Sequence, residues 1–80
     1  MSVGDIERKR TRRVCYVVER RVRGTWTLFD LAEVGDLFTD DEAREHAAAT
    51  VKTLREVSPN ESFRAVREVI ANSRTTEEIA

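Results

Sequence analysis

Phe38-Thr39-Asp40-Asp41-Glu42-Ala43 is the stretch whose chemistry sets the architecture of this chain. Thr39 followed three residues later by Glu42 is a capping box. The Thr39 hydroxyl accepts from the Glu42 amide, and the Glu42 carboxylate accepts from the Thr39 amide. Asp40 and Asp41 add negative charge at the positive end of the helix dipole, and Phe38 stands where a hydrophobic staple belongs. Beyond the cap, Ala43, Ala47, Thr50, Val51, Leu54 and Val57 recur at helical spacing, with Asp41, Glu45, Lys52, Arg55 and Glu56 opposite them. The spacing predicts an amphipathic helix of about four to five turns, one side of which is meant for a sheet. Ser58-Pro59 ends it, because the residue before proline avoids helical angles.

Upstream of the helix the pattern changes to strand chemistry. Val14 to Val18 are β-branched or aromatic apart from Cys15, and Thr25 to Leu31 form a second β-rich run. Arg23-Gly24 separates the two runs. A two-residue turn there needs positive φ, which glycine adopts without steric cost; arginine is not preferred at the first turn position, so a slightly longer loop is also open. With the two-residue turn, Val22 faces Thr25, Val18 faces Phe29 and Tyr16 faces Leu31. Alternation then puts Tyr16, Val18, Phe29 and Leu31 under the helix and Cys15, Val17, Glu19, Arg21, Trp26 and Leu28 on the other face. A register shift of one would instead put Trp26 in the core.

Downstream, residues 61–70 read as a third strand with Phe63 and Ala65 on one face. A helix over 59–72 is the alternative, with Pro59 at its first position and Phe63, Val66 and Ile70 in line. A third strand makes a more stable sheet than a hairpin alone. The expected fold is therefore α+β: a three-stranded antiparallel sheet with one long helix on one face (ββαβ), or ββαα in the alternative. Residues 1–12 read as a flexible basic arm, 13–71 as a single domain and 72–80 as a frayed polar tail.

At 80 residues the chain is one small domain whose core is only just sufficient. Its single cysteine excludes an internal disulfide and a multi-cysteine zinc site, and fits a reducing compartment such as the cytoplasm. No apolar run is long enough to span a membrane. The formal net charge of −1 hides a polarised chain. Residues 1–23 carry eight Lys/Arg against three acids, +5; residues 24–61 carry three against nine, −6.

Little here points to catalysis. His46 is the only histidine and sits at the edge of the apolar helix stripe; with Glu42 it supplies two ligands, too few for a structural metal site. Glycines at positions 4, 24 and 35 make no phosphate loop. Nothing brings nucleophile, base and orienting group together, so no enzyme and no cofactor is expected. Two binding features remain. The basic arm, Arg8, Lys9, Arg10, Arg12 and Arg13, suits nucleic-acid phosphates. The acids Asp36, Asp40, Asp41 and Glu45 suit a basic protein surface, and Trp26, Leu28 and Val17 on the uncovered sheet face suit a partner or a homodimer contact.

Tyr16-Val-Val-Glu-Arg20, Gly24-Thr-Trp26, Phe38-Thr-Asp-Asp-Glu42-Ala43 and Phe63-Arg-Ala-Val66 together resemble the small ββαβ proteins of bacteriophages and other mobile elements. The resemblance covers about residues 14–70. Some phage proteins of this size and class are anti-CRISPR inhibitors, which bind a CRISPR effector complex and block its use of DNA. It implies a non-catalytic phage protein that inhibits a host defence complex by protein–protein contact, and no catalytic residues. The alternative is a small nucleic-acid-binding regulator using the arm.

Overall fold

A computed structural model describes residues 12–80. Strand β1 (Arg13–Val22) runs into β2 (Thr25–Glu33), helix α1 (Asp40–Val57) follows, and β3 (Phe63–Ile70) and β4 (Arg74–Glu78) complete the chain. The four strands form one antiparallel sheet in the order β2-β1-β3-β4.

The local signals act as their chemistry dictates. Thr39 caps α1 with both halves of the box formed: Glu42 N donates to Thr39 Oγ1 at 3.2 Å, and Thr39 N donates to Glu42 Oε1 at 2.9 Å. Ser58 closes the other end, its amide donating to the Leu54 carbonyl at 2.8 Å. The hairpin turn is the two-residue one. Arg23 and Gly24 both have positive φ, +53° and +82°, as a turn matched to the strand twist requires. Residues 63–70 are a strand, which excludes the ββαα alternative.

Two expectations are corrected. The sheet has four strands, not three: Arg74–Glu78 pairs with β3 where a frayed polar tail was expected. This strand carries no apolar side chain and so gives no alternation signal. Its backbone pairing holds it, and the residues after it are tied to the core. Ile79 N donates to the Ala65 carbonyl at 2.8 Å, Ala65 N donates to the Ala80 carbonyl at 3.0 Å, and both terminal side chains pack on the core. The second correction is one of register. Val22 pairs with Thr25 as expected, but an irregularity between Val18 and Glu19 shifts everything beyond it. Val18 pairs with Asp30 and Tyr16 with Ala32, in place of Phe29 and Leu31. The extra residue on β2 is a bulge, and it turns Leu31 to the face away from the helix.

The core between sheet and helix is thin. Tyr16, Val18 and Ala32 meet Ala43, Ala47 and Val51 of the helix, with Phe63 and Ala65 from β3. Four of the eleven buried apolar residues among those described are alanine, so each packing contact hides little area. Phe38, the staple residue, packs against this cluster. Among the described residues no helix is long and apolar enough to cross a membrane.

Candidate protein-contact surface

The sheet face away from the helix carries Arg13, Cys15, Val17, Glu19 and Arg21 from β1 and Trp26, Leu28, Leu31 and Glu33 from β2. Opposite them stand Arg64, Val66 and Glu68 of β3. Among the described residues no second layer lies over this face, yet Val17 is only 7% exposed, and Cys15 and Val66 are buried with it. The chain's own long side chains cross it. Arg64 Nε donates to Glu19 at 2.7 Å and its Nη1 lies 3.8 Å from Glu78; Arg74 lies 3.6 Å from Glu68. Arg13 grips Glu33 with two bonds of 2.9 and 3.0 Å. Side chains of this kind can lay their aliphatic stems on an apolar floor while their heads stay in water. Trp26 joins the lattice, half-buried, with the Arg64 guanidinium 4.3 Å and the Arg21 guanidinium 5.9 Å from its ring. Of the apolar residues expected to form a contact on this face, Val17 is therefore beneath the surface and Trp26 is capped by arginine. Leu28, 66% exposed, is open.

The acidic cluster is also reorganised by the fold. Asp40 accepts a bond from the buried Tyr16 hydroxyl, which also accepts from Arg67 Nε at 3.2 Å. Asp30 lies 3.0 Å from His46 Nε2, Glu33 holds Arg13, and Glu42 closes the cap. Asp36, Asp41 and Glu45 are exposed. Asp36 rims a shallow groove with Leu31, Val34, Leu37 and Phe38, whereas Asp41 and Glu45 stand one turn apart on the outer side of α1, two residues away from buried Ala43. The structure does not gather these three acids with Trp26. Of the basic arm, Arg8, Lys9 and Arg10 lie outside the described residues; Arg12 is exposed and Arg13 is committed to Glu33.

Ionisation follows from these contacts. The Arg13 hydrogen bonds, and then its charge, hold the Glu33 carboxyl below the usual carboxylate range. Burial pushes the Cys15 thiol up, with the charge of Glu33 adding to it, so this cysteine stays a protonated core residue. Burial, with the bond to Asp40, raises Tyr16. His46 directs Nε2 to Asp30, and the neighbouring Thr50 hydroxyl donates to the His46 backbone carbonyl, not to its ring.

A different surface, overlooked in the sequence reading, lies along the β2 side of the molecule. At about 100° per residue, Thr50, Val57, His46, Thr53, Glu42 and Ala49 follow one another around one flank of α1; Glu42, tied into the helix cap, is the one carboxylate on it, and no Lys or Arg stands there. On the other flank come Arg44, Arg55, Asp41, Lys52, Glu45 and Glu56, interrupted only by Ala48. The contacts orient both flanks: His46 reaches Asp30 of β2, and Arg55 donates to the Phe63 carbonyl of β3. This sparsely charged flank therefore faces β2, where Phe29 packs edge-on against Phe63 and is still half exposed. Among the described residues, the five large exposed apolar ones, Leu28, Phe29, Leu31, Leu37 and Val57, lie on β2, on the loop after it or on this flank. The helical projection alone could have shown the split, had the polar side been divided by charge.

The fold and this surface define a small helix-on-sheet protein with one densely charged helix flank and one flank free of Lys and Arg. Compared with protein-family models, with curated proteins and with solved structures, the chain matches none.

Proposed function

We propose that this chain is a non-catalytic binding protein that acts by protein–protein contact. The observation that carries the reading is the band, free of Lys and Arg, formed by β2 and the adjoining flank of α1. In a chain whose charged residues make up 36% of the sequence, gathering the large exposed apolar side chains of the described residues on one side is what a contact surface needs, because charged residues are depleted from the centre of interfaces. Inhibition of a host defence complex, as the ββαβ resemblance implies, is one form such contact could take. Asp36, Asp41 and Glu45 would then meet a basic partner surface. The nucleic-acid alternative draws on fewer groups in the folded domain, since Arg13, Arg20, Arg64 and Arg74 all face carboxylates.

The test is a native pull-down from nuclease-treated bacterial lysate, run beside an analysis of self-association. The reading expects a protein, another or a second copy, to be held by the natural chain and lost from a Leu28→Glu, Thr53→Arg variant. Retention of nucleic acid alone, abolished by nuclease, would refute it.

A further inference from the structure

We propose that the occupant of this band is a second copy of this chain, joined about a two-fold axis normal to the sheet through the edge of β2, which no other described strand pairs. The inference rests on the protein-contact reading and adds the identity and geometry of the partner.

The two edges of the sheet differ in kind. Among the described residues, β4 at one edge is five residues long and reads Arg-Thr-Thr-Glu-Glu, exposed throughout. A short, charged edge is how natural sheets discourage further pairing. At the other edge β2 spans nine residues, with no lysine, arginine or proline. Its two acids do not protect it either, because Asp30 is held by His46 and Glu33 by Arg13. Val34 N donates to the Val14 carbonyl at 2.9 Å, and antiparallel alternation from that point turns the amides of Leu31 and Glu33 off the edge, free to pair.

A two-fold normal to the sheet brings β2 against its copy in antiparallel sense. Two four-stranded sheets become one of eight, and among the described residues the edges remaining are the two charged β4 strands. Both helices then lie on one face, their flanks free of Lys and Arg toward each other across the seam. Phe29, Ala49, Thr53 and Val57 of each copy line that side, and Leu28 and Leu31 line the other. Two copies can approach without opposing like charges, because each copy's carboxylates on β2 already have internal partners. Pairing also adds to a core in which alanine makes up four of eleven buried apolar residues, and small chains commonly gain their missing burial by oligomerising.

Sedimentation velocity and light scattering on the full chain, from dilute to concentrated solution, test the proposal, with amide exchange followed in parallel. The natural chain is expected at twice its monomer mass, with the Leu31 and Glu33 amides protected as dimer forms. Ala49→Arg and Thr53→Arg place a charge on exposed helix positions that suit arginine, so helix content by circular dichroism should be unchanged while the mass falls to that of a monomer. A natural chain that stays monomeric throughout overturns self-pairing. If it then also holds a lysate protein that Thr53→Arg loses, the band belongs to another protein and the contact reading survives. If it holds none, both fail. A folded Ala49→Arg, Thr53→Arg chain that remains dimeric overturns this interface.

Discussion

Replacing Tyr16 with phenylalanine tests how the helix start is fastened to the sheet. Tyr16 is 1% exposed, and its hydroxyl brings a polar group to the edge of the core. It donates to the Asp40 carboxylate in the first turn of α1 and accepts from Arg67 Nε. Bonds to charged partners contribute about 1.5–3 kcal/mol each, but Asp40 is exposed and regains water when the hydroxyl is removed. A net loss of about 1.5 kcal/mol is expected. For a domain of this size that lowers Tm by about 6–12 °C, at roughly 4–8 °C per kcal/mol. Urea unfolding of Tyr16→Phe, Asp40→Ala and the double variant closes a cycle in which coupling of about 1 kcal/mol is expected. The alkaline limb adds a second readout. The folded chain holds the Tyr16 hydroxyl above its unfolded value of about 10. The neutral form therefore favours the fold: its contribution is complete below the unfolded value and is lost as pH rises through the folded one. Tyr16→Phe should abolish that part of the alkaline loss. Stability within about 0.5 kcal/mol of the natural chain, or strict additivity of the two substitutions, would refute this account of the fastening.

Thr39→Ala removes the cap and orphans the Glu42 side chain, and should cost about 1 kcal/mol in denaturant unfolding without changing the slope. Arg64→Ala should uncover Trp26 and loosen the lid over Val17, seen as red-shifted, iodide-quenchable emission at unchanged helix content; emission identical to that of the natural chain would mean that Arg64 does not shield the indole.

The fold was legible where neighbours along the chain settle the matter. The capping box, the Arg23-Gly24 turn and the proline stop each involve only a few adjacent residues, and all three stand as their chemistry requires. The sequence reading of the binding surface reached Leu28 but missed Phe29, Leu31 and the flank of α1. It placed Phe29 and Leu31 in the core because strict alternation leaves no room for a bulge, and nothing in Val18-Glu19 or Leu28-Phe29-Asp30 announces one.

By itself, then, the sequence determined a capped amphipathic helix and favoured a tight hairpin, because hydrogen bonds and φ preferences within a few residues decide them, while it left the third strand open against a helix. Only the tertiary structure decided the bulge that exposes Leu31, the fourth strand, the arginine–glutamate lid over Val17, and which acids are left free. Each of these depends on pairing between residues far apart in the chain: Glu78 beside Val66, Glu33 on Arg13, Arg64 over Trp26, Asp40 on Tyr16. A side chain's alternatives in such pairings are set by strand register, and one inserted residue reverses which face each of them meets.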